Sequence, residues 1–227
     1  MKLSVVIPCF NEEHKIANTV DQIKTYLNKL QIDFEIIVVN DGSHDNTVQK
    51  VNSLDVLLVD YTDNKGKGYA VKKGVEKSSG DYILFIDADH TISIDHIDHF
   101  LTSMANSDVV IASKYMGKAS HVSFLRKMLG KTFAAFRKMI TGLNYKDTQC
   151  GFKLFKVEVA KDLFSKLSVY GWCFDVEILI LAKKSNYQVI ELPVNLDKTI
   201  GGSQIHLVSS SIKMLVDLIK IRLKHLK

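Results

Sequence analysis

The stretch that most restricts the fold is Tyr82-Ile83-Leu84-Phe85-Ile86, an apolar run that stops at Asp87-Ala88-Asp89. It is too short to cross a membrane, is rich in aromatic and branched side chains, and is bounded by Gly80 and Asp89. That pattern predicts a buried strand. In an open α/β sheet, ligands sit beyond the carboxyl ends of the strands, which is where Asp87 and Asp89 fall. Two acids side by side in a dry location repel unless a cation lies between them. A hard divalent ion, held by one or two carboxylates and sharing its other sites with phosphates, meets that need. The plainer alternative is a loop acid followed by a helix cap before Thr91–Ser93.

Similar apolar runs recur along the chain. Leu3–Pro8, Phe34–Val39, Val56–Val59 and Val109–Ala112 each read as a strand, and most are followed by a helical pattern. Ile16, Val20, Ile23 and Leu27 share one helix face; Ala70, Val71 and Val75 share another, as do Ile97, Phe100, Leu101 and Met104. Strands alternating with helices predict an α/β fold, a mostly parallel central sheet flanked by helices. Polar loops at successive strand ends then converge on one rim. Further strands are expected near Asp147–Phe155 and Val189–Val194, and helices near 157–167 and 174–185.

Two stretches are amphipathic. Residues 121–143 set Phe124, Leu125, Met128, Phe133 and Phe136 among Arg126, Lys127, Lys131 and Arg137. Residues 205–227 repeat Lys213, Asp217, Lys220, Lys224 and Lys227 opposite Val208, Ile212, Leu215 and Ile219. Each either packs its apolar side on the sheet or lies on a membrane surface. The division expected is 1–204 as the catalytic domain, split near 115, with 205–227 as a C-terminal amphipathic helix. With a net charge of +5, an anionic partner is permitted without being specified. No nucleic-acid reading module is recognisable. Cys9, Cys150 and Cys173 lack metal-type spacing and read as buried thiols of a reducing compartment. Strand-like sequence from Leu3 leaves no signal peptide expected, and no apolar run has the length of a membrane span. Trp172 and the eight histidines show no ligand spacing and read as packing or surface residues.

The rim carries further signals. Asn64-Lys65-Gly66-Lys67-Gly68 lies between a strand and a helix, where glycines let backbone approach a ligand and lysines supply charge. A flexible charged turn is the alternative. Asp41-Gly42-Ser43 reads either as a capped turn or as a carboxylate for a ribose or base edge. Glu12 and Glu13 open a helix, where acids are favourable through the helix dipole alone.

Taken together, Val5-Val6-Ile7-Pro8 with Asn11-Glu12-Glu13, Val38-Val39-Asn40-Asp41-Gly42-Ser43, Asn64–Gly68 and Asp87-Ala88-Asp89 resemble the family-2 glycosyltransferases of the A-type fold. Asp147-Thr148-Gln149-Cys150-Gly151-Phe152-Lys153 and Trp172-Cys173-Phe174-Asp175-Val176-Glu177 narrow the resemblance to the polyprenyl-phosphate hexosyltransferases, nearest the dolichyl-phosphate glucosyltransferases. The resemblance implies that Pro8, Phe10, Glu12 and Asp41 line a nucleotide pocket and that Lys65 and Gly66 border the donor. Asp87 and Asp89, with Ala88 between them, would hold Mg2+ or Mn2+ on the diphosphate. Where some relatives carry glutamine this chain has Thr91, and where relatives carry arginine it has Lys114. Lysine is a point charge without the two-pronged geometry of arginine.

The activity implied is metal-dependent, inverting transfer of a hexose, glucose from UDP-glucose, to a polyprenyl or dolichyl phosphate. Such an acceptor is already anionic and needs no strong base, but it needs cations. Lys114, Arg126 and Lys198 are the candidates. Asp147 would act as base only on a neutral hydroxyl acceptor, and otherwise caps or pairs with Lys146 or Lys153. A hydroxyl-directed relative and a non-catalytic nucleotide-sugar-binding protein are the alternatives. Attachment is expected to be peripheral, on the cytoplasmic face of a membrane, directly or through a membrane-protein partner.

Overall fold

A computed structural model of the chain describes residues 1–89, 91–116, 138–195 and 207–225, with side chains from 213 onward in the last segment. Seven strands form one sheet: β1 Lys2–Cys9, β2 Asp33–Asp41, β3 Leu57–Tyr61, β4 Tyr82–Ile86, β5 Val109–Ser113, β6 Phe152–Lys156 and β7 Val189–Pro193. Their order is β3-β2-β1-β4-β6-β5-β7. All neighbours run parallel except β6, which is antiparallel to both β4 and β5. The mostly parallel sheet is therefore present, with one reversed strand between β4 and β5. Seven helices are named here: α1 Ile16–Lys29, α2 Thr47–Asn52, α3 Lys67–Lys77, α4 Ile97–Ser103, α5 Val157–Ser165, α6 Phe174–Lys184 and α7 Leu207–His225.

Strand side chains alternate between faces, and the core divides accordingly. Val6, Ile37, Val39 and Phe85 pack with α3, α5, α6 and α7 on one side. Val5, Ile7, Val38 and Leu84 pack with α1 and α4 on the other. The inner strands are buried on both faces, which explains their nearly continuous apolar runs. Helix α3 lies unusually close to the sheet because Gly74 has no side chain; a Cβ there would run into Val6. That close seating fixes the start of α3, and with it the loop that carries Lys65 and Gly66.

Cys9, Cys150 and Cys173 are free and buried, as expected, and burial pushes each thiol up to about 12. No helix among the described residues is long and apolar enough to cross a membrane. The amphipathic stretch 121–143 falls mostly outside the described residues, as do Arg126 and Lys198.

Candidate active site

The carboxyl ends of β1, β2 and β4 form one rim, and hydrogen bonds lace its loops together. After β1, the Asn11 amide donates to Ser43 Oγ at 2.9 Å and the His44 amide returns a bond to Asn11 Oδ1 at 2.8 Å. The Glu12 amide donates to Thr47 Oγ1, and the Asn46 amide to Glu13 Oε2. Glu13 thus fixes the second loop from the first. Pro8 is buried at the end of β1, whereas Phe10 is 41% exposed and meets His44 edge-on at 6.1 Å. Burial raises the Glu12 carboxyl above its ordinary range; Lys15, 3.3 Å away, opposes this, and the Asp89 and Asp87 charges add to it. Glu12 therefore lies in the field of the acid pair.

Asp41 folds the next loop. Its buried carboxylate accepts the Lys65 amide at 2.8 Å on one oxygen and the Gly66 amide at 2.9 Å on the other. Gly66 has φ +98, and a Cβ there would lie 2.5 Å from the Tyr170 carbonyl oxygen, so only glycine fits. The Gly68 amide donates to that same carbonyl at 2.9 Å. Lys65 carries its ammonium between the rings of Tyr69 and Tyr61, 5.2 and 5.8 Å from their centres.

The acid pair lies just past β4. Asp87 Oδ1 is 2.6 Å from Lys67 Nζ, and the Asp87 amide donates to the Gly151 carbonyl at 3.0 Å. A Cβ on Gly151 would overlap the Asp87 carboxylate, so the glycine leaves that carboxylate its space. Asp89 Oδ1 accepts the Thr91 amide and hydroxyl, at 3.2 and 2.5 Å. Thr91 therefore orients an acid here. Ala88 is buried, and its carbonyl accepts the Thr19 hydroxyl at 2.7 Å.

Lys67 sits 5.1 Å from the Phe85 ring centre and 5.6 Å from that of Trp172. Burial works against its charge, but Asp87, then Asp175 and Asp89, outweigh it and hold the ammonium above its usual range. Behind it lies a fully buried ion pair, Lys153 Nζ to Asp175 Oδ1 at 2.5 Å, with Lys153 also donating to the Cys150 carbonyl. Burial raises the Asp175 carboxyl, with Lys153 and Lys67 opposing.

Lys114 follows β5. Burial disfavours its charge, yet Asp147 first, and Asp87 with it, hold it above the ordinary value. Asp147 is buried; its two oxygens accept the Lys114 amide at 3.3 Å and the Gln149 amide at 3.2 Å. Its own amide donates to Glu191 Oε1 at 2.7 Å. The carboxylate thus ties the end of β5 to the turn before β6, while Lys153 pairs with Asp175 instead.

The donor set suits a hard divalent cation that keeps sites for phosphate. Asp87 and Asp89 lie one residue apart on the rim, Asp87 is 29% exposed at its side chain, and the missing Cβ of Gly151 leaves the Asp87 carboxylate its position. Among the described residues no cluster of three or more His, Cys, Asp or Glu side chains gathers to cage a metal. Two carboxylates plus phosphate oxygens and water form the arrangement that Mg2+ and Mn2+ use with nucleotides.

The structure thus brings Glu12, Asp41, Lys65, Gly66, Asp87, Ala88, Asp89, Lys114 and Asp147 to one rim or its immediate support. Two further residues join them. Lys67, one of the two loop lysines, pairs with Asp87, and Trp172, a surface residue as its sequence suggests, lies beside Lys67. The signal available in sequence is Trp172 standing directly before Cys173-Phe174 and the acidic helix start at Asp175.

The chain matches the model of the family described as Glycosyl transferase family 2 over residues 4–164. It is 36% identical to a dolichyl-phosphate beta-glucosyltransferase of Dictyostelium discoideum, over 99% of this chain and 75% of that protein. The protein of that name from Saccharomyces cerevisiae is 35% identical, over 99% and 75%, and that from Homo sapiens 34%, over 99% and 76%. Among solved structures, glucosyl-3-phosphoglycerate synthase of Mycobacterium tuberculosis with Mn2+, UDP-glucose and phosphoglyceric acid superposes with a TM-score of 0.74 at 18% identity, covering 97% of this chain and 79% of that one. Mannosyl-3-phosphoglycerate synthase of Rubrobacter xylanophilus gives 0.71 at 17% identity, over 99% and 74%.

Proposed function

The chain belongs to glycosyl transferase family 2, has the A-type fold and is a glycosyltransferase; we propose that it transfers glucose from UDP-glucose to a dolichyl or related polyprenyl phosphate. The observation that carries this reading is similarity at 34–36% identity, over 99% of the chain, to proteins named for that sugar and acceptor. The rim supplies the parts such a reaction needs.

On this reading Phe10 and Pro8 border the nucleobase, and Asp41 shapes the donor loop whose Lys65 and Gly66 face the diphosphate. Asp87 and Asp89 would hold Mg2+ or Mn2+, which, when bound, neutralises charge on the departing diphosphate. The acceptor phosphate is an anion and attacks the anomeric carbon directly, inverting it. Lys114, held charged by Asp147 and Asp87, draws that phosphate toward a site that already carries a diphosphate. No base is required, and Asp147 supports this, because both of its oxygens accept backbone amides.

A membrane-borne acceptor also gives α7 a use. Its exposed side carries Leu215, Val216, Ile219 and Leu223, with Lys213, Lys220 and Lys224 alongside. We assign that side to peripheral contact with the cytoplasmic face of a membrane.

The test is product formation from radiolabelled UDP- and GDP-hexoses with detergent-solubilised polyprenyl phosphate, in Mn2+ or in EDTA. A metal-dependent glucosyl lipid made from UDP-glucose is expected. Donor binding or slow hydrolysis with no label in the lipid refutes the phosphate acceptor, and label on a hydroxyl lipid or glycan would replace it.

A further inference from the structure

Trp172 is the chain's single tryptophan, and it is 46% exposed. One exposed aromatic needs no explanation by itself. Its mounting does. Cys173 and Phe174, which follow it, are buried in the core, and the Phe174 amide donates to the Gly171 carbonyl at 3.2 Å. Gln149 Nε2 donates to the Trp172 carbonyl at 2.8 Å, so the turn before β6 grips this one. Tyr170, two residues earlier, accepts the Gly68 amide from the donor loop. The backbone is therefore held from three directions while the ring is left open to solvent.

The ring has a charged neighbour in Lys67. Lys67 Nζ stands 5.6 Å from the indole centre and 2.6 Å from Asp87 Oδ1. A single ammonium thus bridges the indole and the acid pair. Of the other aromatic residues left exposed, Phe10 lies across the rim beside His44, and Tyr115 follows β5.

We propose that Trp172 is the platform on which the hexose of the nucleotide-sugar donor stacks, an inference that rests on the donor reading above. A sugar joined to a diphosphate held at Asp87 and Asp89 must lie beside those carboxylates. The C–H face of a pyranose is apolar and carries slight positive charge. It is attracted to the electron-rich face of an aromatic ring, and indole is the most electron-rich that a protein offers. Lys67, at the junction, meets both neighbours: it neutralises Asp87 and lies over the indole ring. The hydroxyls at the edge of the sugar remain free for polar groups to read.

The single tryptophan makes the test direct. Emission of the full-length protein in Mn2+, without acceptor, is followed while UDP and then UDP-glucose are added. UDP-glucose is expected to change the emission well beyond what saturating UDP does. By calorimetry, Trp172→Ala is expected to weaken UDP-glucose about fivefold to tenfold while leaving UDP unchanged, the size of one stacking contact. Trp172→Tyr should recover most of the loss. Equal emission changes for UDP and UDP-glucose would overturn the proposal. So would a variant that weakens both ligands equally, which marks a structural role, or an emission change caused by polyprenyl phosphate alone, which would assign the ring to the acceptor. If UDP itself does not bind, the donor reading falls and the platform falls with it. The emission comparison uses wild-type protein, so it decides the matter even where Trp172→Ala does not fold.

Discussion

Lys67 and Asp87 are joined by a 2.6 Å ion pair between the first residue of α3 and the first residue beyond β4. The ammonium thus occupies one oxygen of a carboxylate expected to face a metal. Removing it leaves more negative charge around Asp87 and Asp89, which favours a bare divalent ion but disfavours a diphosphate. Lys67→Met is therefore expected to bind Mn2+ about threefold to tenfold more tightly without nucleotide, in line with a charge screened partly by solvent. Its transfer rate should fall about tenfold or more. Electron paramagnetic resonance of free Mn2+ and initial rates check the two halves. Weaker Mn2+ binding would mean that Lys67 acts by orienting Asp87.

Gly151 leaves room for the same carboxylate, since a Cβ there would overlap it. Gly151→Ala must push the Asp87 side chain aside or shift the turn that accepts its amide. A displacement near 1 Å at a positioned ligand costs on the order of a hundredfold in rate. The expected outcome is that loss in turnover, with weaker Mn2+ binding and a melting temperature within about 5 °C of wild type. Unchanged turnover would show that the carboxylate has freedom the geometry does not give it.

Far from the rim, Glu35 is expected to set the acid limit of the fold. Burial opposes its charge, but the Ser4 hydroxyl at 2.5 Å, the Ser79 amide at 2.7 Å and Lys2 at 3.1 Å prevail and lower the carboxyl from 4.5 to about 2. A depressed carboxyl stabilises the folded chain above its unfolded pKa and loses that contribution as pH falls toward its folded one. Stability should therefore decline between about pH 4.5 and 2, and Glu35→Gln should be less stable at neutral pH with a flatter decline in that window. Urea unfolding at a series of pH values measures both. A parallel decline in the variant would assign the acid limit to other carboxylates.

Sequence pattern was enough for most of the fold, because the inner strands are buried on both faces and leave long apolar runs that polar loops interrupt. It did not reveal that β6 runs antiparallel between β4 and β5, since an apolar run reads the same in either direction. The acid pair was legible because two carboxylates directly after an apolar run break the pattern sharply. The setting of Trp172 was not: Gln149 and Lys67 meet it from distant parts of the chain. Asp41 shows the same limit, since local sequence offers a turn acid and only the fold directs it to the Lys65 and Gly66 amides.

Helix α7 presents two unlike sides, and this yields the last expected outcome. Leu218 and Ile221 are buried in the core, Arg222 donates to the Ile140 carbonyl at 2.6 Å, and His225 meets the buried Glu177 at 2.7 Å. That side is fixed. Leu215, Val216, Ile219 and Leu223, 37–59% exposed, form a stripe on the other, and Lys213, Lys220 and Lys224 are exposed beside it. Stripe and lysines together suit an anionic bilayer, each lysine near such a surface adding about 1 kcal/mol at low salt. Co-sedimentation should therefore show binding to vesicles with anionic lipid, weaker binding to neutral ones, and weakening with salt. Replacing Leu215, Ile219 and Leu223 by serine should abolish most of it, at a cost of about 1 kcal/mol per site because these side chains are only partly buried. The KM for polyprenyl phosphate in vesicles should rise while that for UDP-glucose stays put. Undiminished vesicle binding by the triple variant would move the membrane contact to another part of the chain.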